Sequence, residues 1–429
     1  MKPSLKSLGI AALAIVATIL PFAEGILKNG LLEIILLMPV VWLVVASRTR
    51  EPALRSVLVL VSLCVGLTLC DLLLRPLVGD RLHYSPMNLH QRRLPALPML
   101  GRWDPGVEFS GEVYGDLAAM TGMQALREPR FVEFQTDAKG FRNGPLRSPI
   151  DAIVLGDSFS AGVGVSQTKT WAALLGERLG WSVYNLSYPG GPYDQYLNFS
   201  IETPDLRLAP RVQLVWTLYT GNDLEDAGGE TWDLDALPWR TGISAALVTY
   251  RTFRDRSPLS QAWDSVRSRW RGISDDVVIH PLPDDRSILL YRPQEIWGLR
   301  GRTDVERHPN FAKLQTTLRE MNTKVDRMGM HATVIILPTK GEVYRWLLQP
   351  ESKAEEQSSG FAQAVLAACR QISLTCVDSR AYLESEARRI YDLPPHELLW
   401  WRDDTHLNEL GHNALATFVT QAVAASNRR

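Results

Sequence analysis

The segment that runs from Asp151 to Val165 constrains the fold of this chain more than any other. It opens with the short apolar run DAIVL, which is bounded by turn residues and is typical of a buried strand. GDSFSAGVGV comes next, and the helical pattern TWAALLGERLG follows. This order of strand, turn and helix predicts an α/β fold. Ser158 would then lie at the carboxyl end of a strand, where open α/β sheets bind their ligands.

A second informative segment, WWRDDTHLNELGH, lies near the C-terminus and holds a histidine preceded by aspartates. A serine hydroxyl is a weak nucleophile at neutral pH unless an imidazole accepts its proton. The imidazole in turn needs a carboxylate that fixes its tautomer and stabilises the imidazolium. Ser158, His406 and Asp403 can fill these three roles, which predicts a catalytic triad.

Four blocks of the sequence, in the same order, resemble the SGNH (GDSL-type) hydrolase superfamily: GDSFS, YNLSYPGGPYDQY, VWTLYTGNDLEDA and DDTHLNELGH. The resemblance implies Ser158 as the nucleophile, with Asp403 and His406 completing the triad. It also implies an oxyanion hole made of the backbone N–H groups of Ser158 and Gly190 and the side-chain amide of Asn222. The implied fold is a three-layer α/β fold with a parallel sheet.

Two blocks depart from the family's pattern. The third reads T-G-N-D where the family has G-x-N-D, so its glycine is displaced by one position while Asn222 and the following aspartate remain. The last block has adjacent aspartates. Asp403 matches the D-x-x-H spacing and is the acid that we favour. Asp404 matches the D-x-H spacing of some relatives, and its other interpretation is a cap of the segment that follows.

Composition limits the partners of the chain. Its 429 residues, with 45% apolar content and a net charge of −1, suffice for one α/β domain plus an appendage. Without a dominant basic field, we expect no nucleic-acid partner. The histidines show no metal-ligand spacing such as H-E-x-x-H, so we expect neither a metal nor a cofactor. His412 lies in a helical pattern and is interpreted as a packing or capping residue.

The N-terminus holds three strongly apolar segments, 8–22, 31–46 and 57–74, which we interpret as transmembrane helices. The first two are shorter than the span of about 20 residues that a bilayer requires, but flanking residues can extend them. A cleaved signal peptide is the alternative for the first segment, and buried soluble helices are the alternative for each. We therefore predict a membrane anchor over residues 1–76.

Basic residues predict the orientation of this anchor. Lys2 and Lys6 precede the first segment, and three arginines lie between the second and third, at positions 48, 50 and 55. The positive-inside rule places both regions in the cytoplasm. Three crossings then put the catalytic domain on the outer, periplasmic or extracytoplasmic, side of the cell membrane. If only two segments crossed, the domain would face the cytoplasm.

The remainder is predicted to contain a lead-in segment, 77–150, and a catalytic domain, 151–429, with an insertion at about 227–310. The string T-D-x-x-G-F-R of the lead-in resembles a segment of membrane-linked relatives, and its pattern predicts a hairpin with Gly140 in the turn and Phe141 packed inward. Cys369 and Cys376 could form a disulfide or remain two buried thiols.

Aromatic and basic residues outside the four blocks leave two further alternatives open. The segment P-x-K-x-x-V-Y, with Lys340 and Tyr344, resembles a strand end of SGNH-type proteins that acetylate or deacetylate exported polysaccharides. These two side chains line a cleft or belong to a strand-terminating loop. The insertion contains tryptophans with two open interpretations, contact with a sugar or cover of a hydrophobic surface. These are Trp232, Trp239 and Trp263.

Together these features predict a membrane-anchored serine ester hydrolase that acts on acyl esters, acetyl esters foremost, of an envelope or exported polysaccharide. One alternative is an O-acyltransferase that passes the acyl group to a polysaccharide hydroxyl. A second is a non-catalytic polysaccharide-binding or assembly protein. The expected partners are the carbohydrate ester, the membrane and the machinery of envelope polysaccharides.

Overall fold

A computed structural model describes residues 66, 70–74, 83–94, 100–228, 257–262, 274–283, 285–349 and 358–426. The chain divides into two compact units, Met1–His83 with Thr249–Ser265, and Tyr84–Val248 with Val266–Arg429. In the first unit, residues 70–74 and 258–262 are helical. Asp71 Oδ1 there accepts a hydrogen bond from the Ser257 hydroxyl at 2.6 Å. The second unit holds all four sequence blocks.

The strands of the second unit are β1 (Gln91–Arg93), β2 (Gly101–Trp103), β3 (Glu108–Val113), β4 (Arg130–Gln135), β5 (Ile150–Leu155), β6 (Val183–Asn185), β7 (Leu208–Tyr219), β8 (Val277–Pro281), β9 (Ser287–Tyr291), β10 (His331–Leu337) and β11 (Thr375–Asp378). Five of them form a parallel sheet in the order β11-β10-β7-β5-β6. The others form three antiparallel pairs, β1–β2, β3–β4 and β8–β9. The predicted α/β fold with a parallel sheet is confirmed.

Helices connect the parallel strands, as crossover connections require. The α-helices of the described residues, including those outside these connections, are α1 (Asp116–Thr121), α2 (Ser158–Ala161), α3 (Trp171–Leu179), α4 (Pro192–Glu202), α5 (Asp223–Asp226), α6 (Arg292–Leu299), α7 (Arg302–Arg307), α8 (Phe311–Arg327), α9 (Lys340–Val343), α10 (Arg345–Leu348), α11 (Gly360–Gln371), α12 (Arg380–Tyr391) and α13 (Glu409–Ser426).

Alternation along the strands divides the core between the two faces of the sheet. On β5, Ile153 and Leu155 join the cluster that includes apolar side chains of α4, α8 and α11. Ala152 and Val154 join the cluster that includes those of α3, α12 and α13. Both faces of the sheet are therefore covered, which explains why β5 is an almost continuous apolar run. The result is a three-layer arrangement.

From Tyr84 onward, the lead-in belongs to the same compact unit as the sheet. Within T-D-x-x-G-F-R, the N–H of Gly140 donates to the Asp137 carbonyl at 3.1 Å, which closes a turn. Phe141 is fully buried, as predicted. The predicted hairpin is wrong in one respect. Among the described residues, the strands on either side of this turn are β4 and β5, and β5 pairs with β6 and β7 instead of β4.

The described part of the predicted insertion includes the helical residues 258–262 of the first unit, the β8–β9 hairpin and the helices α6 and α7. Trp232, Trp239 and Trp263 lie outside the described residues. Cys369 at the end of α11 forms a disulfide with Cys376 in the edge strand β11. Of the two alternatives for this cysteine pair, the structure has the disulfide.

The two apolar segments 8–22 and 31–46 lie outside the described residues, as does most of 57–74. Within the part of the chain that the structure describes, no helix has the length and apolarity needed to cross a membrane.

Candidate active site

Ser158 lies directly after β5, at the first position of the short helix α2. Asp157 caps this helix, since its Oδ1 accepts the N–H of Phe159 at 3.0 Å. Gly156 has no room for a side chain, because a Cβ there would collide with the side chains of Thr217 and Ser160. The glycine lets β5 approach β7 closely at this point. The GDS tripeptide thus makes the sharp turn that leaves Ser158 half-buried and open to solvent.

His406 connects the serine to a carboxylate. Its Nε2 lies 2.8 Å from Ser158 Oγ, and its Nδ1 lies 2.7 Å from Asp404 Oδ1. The same Asp404 oxygen accepts the backbone N–H of His406 at 3.1 Å. The side chain of His406 retains 12% of its exposure. Two residues that are 248 positions apart in the sequence, Ser158 and His406, therefore meet as predicted from their motifs.

The structure corrects the choice between the two aspartates. Asp404, and not the favoured Asp403, contacts the imidazole. Asp403 is fully buried on the side of the lead-in, where its Oδ2 accepts the N–H groups of Gly115 at 2.7 Å and Glu128 at 2.8 Å. These hydrogen bonds hold the carboxylate of Asp403 against the lead-in, and Asp404 is the aspartate bonded to the imidazole. The D-x-H spacing suffices because the chain turns sharply between residues 404 and 406.

Arg130, at the start of β4, contacts both aspartates at once. Its Nη1 donates to Asp403 Oδ1 at 2.8 Å, and its Nη2 donates to Asp404 Oδ2. Its guanidinium lies over the Trp401 ring, 4.4 Å from the centroid. No local pattern of the sequence identifies Arg130, because its two partners follow it by more than 270 residues.

Charges around the imidazole favour its protonated form. Burial alone lowers the pKa of His406, but the carboxylates of Asp404, Asp116 and Asp157 outweigh burial and raise it above the ordinary value. For Asp404, burial acts to raise the pKa, yet His406 and Arg130 outweigh it and hold the pKa well below the usual range. Asp404 is therefore an anion at neutral pH, as the partner of an imidazolium must be.

Asp116 lies behind the histidine, in the first turn of α1. Its two oxygens accept the backbone N–H of Thr405 at 2.9 Å and the Thr405 hydroxyl at 2.7 Å. Loss of solvent, together with the charge of Asp404, raises the pKa of Asp116 to about 7. A carboxylate oxygen of Asp116, a carboxylate oxygen of Asp404 and a ring nitrogen of His406, atoms that can bind a metal ion, lie within 4.8 Å of one another. Their hydrogen bonds to Thr405 and to each other account for this closeness, so we assign no metal to them.

The predicted oxyanion residues follow neighbouring strands of the sheet. Ser158, Gly190 and Asn222 come after β5, β6 and β7, whose carboxyl ends share one edge. The first two blocks are joined by a backbone hydrogen bond of 3.2 Å from the N–H of Tyr188 to the Gly156 carbonyl.

The second and third blocks also contact each other. Gly191 has no space for a Cβ because the backbone of Asp226 fills it. Asn222 Nδ2 donates to Asp226 Oδ2 at 2.7 Å. An amide carries two N–H groups, so this bond leaves one available for a substrate. The roles of Ser158, Gly190 and Asn222 in an oxyanion hole stay a prediction.

Lys340 and Tyr344 do not line an open cleft, because both side chains are almost completely buried. The ammonium of Lys340 donates to the carbonyls of Trp401 at 2.7 Å, Asp404 at 2.9 Å and Leu289 at 2.8 Å. The Tyr344 hydroxyl accepts the Leu399 N–H at 2.6 Å. These residues thus support, from inside the protein, the segment 399–406 that ends at His406, which we call the histidine loop.

Arg142 supports the segment 161–165, which follows the nucleophile Ser158, in a similar way. This buried guanidinium donates to backbone carbonyls, among them Ala161 at 3.2 Å and Val165 at 2.5 Å. His412 is fully buried, and its Nδ1 accepts the Trp171 N–H at 3.2 Å. Burial lowers the pKa of His412 to about 3. His412 is therefore a neutral packing and capping residue, as predicted, and not a second base.

Three solved structures resemble this chain at low similarity. The acetyl xylan esterase AlAXEase is 13% identical with a TM-score of 0.32, and the match covers 63% of this chain and 98% of that one. A structure named TesA is 13% identical with a TM-score of 0.32, covering 63% and 97%. A carbohydrate esterase family 2 enzyme from Corynascus thermopiles is 12% identical with a TM-score of 0.31, covering 69% and 73%.

No curated protein matches the sequence. The family model for the GDSL-like lipase/acylhydrolase family, by contrast, matches residues 154–414. This range is more than half of the chain and includes all of the predicted catalytic and oxyanion residues. Membership implies an enzyme that hydrolyses ester bonds. The chain belongs to the GDSL-like lipase/acylhydrolase family.

Proposed function

We propose that this ester hydrolase works through a triad of Ser158, His406 and Asp404. The observation that carries the proposal is the position of His406, whose two ring nitrogens face Ser158 Oγ at 2.8 Å and Asp404 Oδ1 at 2.7 Å. Both distances are within the range of hydrogen bonds in which a base can accept a hydroxyl proton. Asp404 fixes the tautomer in which Nε2 carries the lone pair.

The reaction proceeds in two halves. In the first, Ser158 Oγ attacks the ester carbonyl while its proton passes to His406 Nε2, and a tetrahedral oxyanion forms. The N–H groups of Ser158 and Gly190 and the amide of Asn222 stabilise this charge. When the carbon–oxygen bond of the ester breaks, His406 gives its proton to the departing alcohol and leaves an acyl-serine. Water, activated by His406, then releases the acid and restores the serine.

An acetyl ester of an envelope or exported polysaccharide is the substrate class that we propose. The resemblance of T-D-x-x-G-F-R and of P-x-K-x-x-V-Y to segments of membrane-linked and polysaccharide-modifying relatives supports this choice. Transfer of the acyl group to a sugar hydroxyl in place of water is the second candidate, and it needs no change in the triad. The two reactions differ in whether free acetate or acetylated glycan accumulates.

For localisation, we propose a membrane anchor with the catalytic unit outside the cytoplasm. Two observations support it: the basic residues around the N-terminal apolar segments, and the disulfide between Cys369 and Cys376. Disulfides persist mainly in oxidising compartments. A reporter that is active only outside the cytoplasm should work when fused after Arg429 and be silent when fused after Arg50. The reverse result would place the enzyme inside.

Hydrolysis of p-nitrophenyl acetate by the full-length protein tests the triad. Ser158→Ala should abolish turnover and leave the thermal melting curve unchanged, because the half-buried hydroxyl contributes little to packing. Ser160→Ala is a matched control, since Ser160 lies two residues away and its hydroxyl contacts Thr217 inside the protein. That variant should remain active. Turnover by Ser158→Ala within a few-fold of the unmodified protein would overturn the triad.

A further inference from the structure

We propose that Arg130, which the lead-in contributes, is a positioning residue of the active site that orients Asp404 toward His406. The proposal rests on the proposed triad and extends it to a residue that lies outside the part of the chain matched by the family model, 154–414. It gives the lead-in a direct part in catalysis, beyond that of a connection to the catalytic domain.

The geometry assigns a different partner to each oxygen of Asp404. Its Oδ1 accepts from His406 Nδ1 at 2.7 Å, and its Oδ2 accepts from Arg130 Nη2. A carboxylate held at both oxygens cannot rotate about its Cβ–Cγ bond without breaking one of these contacts. Arg130 therefore fixes the plane of the carboxylate that receives the imidazole N–H.

Arg130 is itself held in place by the lead-in and by the histidine loop. Its Nη1 donates to Asp403 Oδ1 at 2.8 Å and to the Glu128 carbonyl at 3.1 Å. The Trp401 ring covers one face of the guanidinium. Only 5% of the side chain is exposed. The planar fork of an arginine suits this double contact, which the single ammonium of a lysine cannot reproduce.

Charge gives a second reason for the arginine. Asp403 and Asp404 are adjacent, and both are almost completely buried. Two buried like charges disfavour each other, so the loss of a shared cation would raise the pKa of the pair. A protonated Asp404 could not stabilise the imidazolium. The guanidinium, which is bonded to both carboxylates, favours their ionised forms and so favours the functional state of Asp404.

Several other charged or titratable groups influence the same pair. Asp404 interacts with Asp403, Asp116, Lys340 and Tyr84 as well as with His406 and Arg130. The imidazole of His406 interacts with Asp404, Asp116, Asp157 and His412. Of the described groups named here, Arg130 and Lys340 are the basic side chains besides the two histidines, and burial lowers the pKa of Lys340 to about 8. Lys340 binds backbone carbonyls, which leaves Arg130 as the cation bonded to the carboxylates.

The test is the rate at which a fluorophosphonate labels Ser158 in the full-length protein, measured from pH 5 to pH 9. This readout needs no knowledge of the natural substrate. Arg130→Met should move the acidic limb of the profile up by about 1 pH unit, because a lost cation favours protonation of both His406 and Asp404. The plateau rate should also fall about 10- to 100-fold, since the imidazole is less well oriented.

Two further variants make the result specific. Arg130→Lys keeps the cation and loses the fork, so its acidic limb should stay near that of the unmodified protein while its plateau falls. Arg102→Met is a matched control: Arg102 is also a nearly buried arginine of the lead-in, and it pairs with Glu202 away from the histidine loop. It should lower the melting temperature and leave the limb unchanged. If Arg130→Met does not fold, Arg130→Lys carries the test alone.

The outcomes separate this proposal from the triad. Labelling profiles of both Arg130 variants that coincide with the unmodified protein would overturn the positioning role and leave the triad intact. An upward shift in Arg102→Met as large as in Arg130→Met would overturn it as well, because general loosening would then explain both. If Ser158 of the unmodified protein is not labelled at any pH, the triad fails, and the positioning role fails with it.

Discussion

Asp403 and Asp404 are neighbours in the chain and share Arg130, but their carboxylates otherwise have different partners: Asp404 contacts His406, and Asp403 contacts the backbone of the lead-in. The arrangement divides two tasks between two identical side chains. Asp404 serves the chemistry, and Asp403 joins the histidine loop to the residues that surround Arg130. Substitutions of the two should therefore have different signatures.

Asp404→Asn should lower kcat about 10⁴-fold, because an amide can hold the imidazole in the wrong tautomer and cannot stabilise the imidazolium. Asp403→Asn should lower kcat much less and should mainly lower the free energy of unfolding, since it weakens an ion pair whose carboxylate is fully buried. Hydrolysis of p-nitrophenyl acetate and urea denaturation of both variants measure this contrast. Equal kcat losses in the two variants would contradict the division of tasks.

The pH profile should respond to Asp116 in the direction opposite to that for Arg130. His406 must be neutral to accept the serine proton, and Asp116 favours its protonated form. Asp116→Asn should therefore lower the pKa of His406 and move the acidic limb of kcat/KM down by up to about 1 pH unit. Asp326→Asn is the control, since Asp326 is exposed on α8, before the amino end of β10. An upward shift in Asp116→Asn would contradict this account.

Asn222 should matter only when charge develops on the substrate oxygen. Asn222→Ala should lower kcat on the order of 100-fold or more with little change in KM, the pattern of lost transition-state stabilisation. Asn222→Asp should be at least as harmful, because it adds a carboxylate next to Asp226 and to the oxyanion. Steady-state kinetics of the folded variants decide the matter. Lower stability with normal kcat would show that Asn222 is purely structural.

The disulfide should stabilise the protein and leave the chemistry unchanged. It joins the end of α11 to the edge strand β11 with a separation of seven residues. Loop-closure entropy predicts that replacing Cys369 and Cys376 with serine lowers the free energy of unfolding by about 2 kcal/mol. Urea denaturation of the double variant measures this, and kcat should remain as in the unmodified protein. No loss of stability would mean that the bridge does not form in solution.

Local patterns predicted the parts of this protein whose signals lie within short segments. The run DAIVL predicted β5, and the GDS tripeptide predicted a serine at its carboxyl end. The parallel sheet was implied by the resemblance of four short blocks to the SGNH superfamily. His412 was correctly separated from His406 because a helical pattern surrounds it.

Long-range contacts escaped prediction. The choice between Asp403 and Asp404 depends on how the chain turns before His406, and both spacings are stereochemically compatible with a triad. Asp403 is bonded elsewhere because Gly115, Glu128 and Arg130 donate hydrogen bonds to its carboxylate, and these residues lie in the lead-in. Neither pattern nor spacing relates segments so far apart. For Lys340 the sequence left open a cleft and a strand-terminating loop, and only packing shows that its ammonium lies inside the protein.

Covalent labelling tests the central claim most directly. The full-length protein, treated at neutral pH with a fluorophosphonate and digested, should carry the phosphonyl group on the peptide that contains Ser158. Ser158→Ala should carry none, and His406→Ala should be labelled far more slowly, because its serine lacks the base that accepts the proton. Melting curves of the variants verify that they are folded. Labelling of folded Ser158→Ala at the rate of the unmodified protein, or modification at a different residue, would contradict the account.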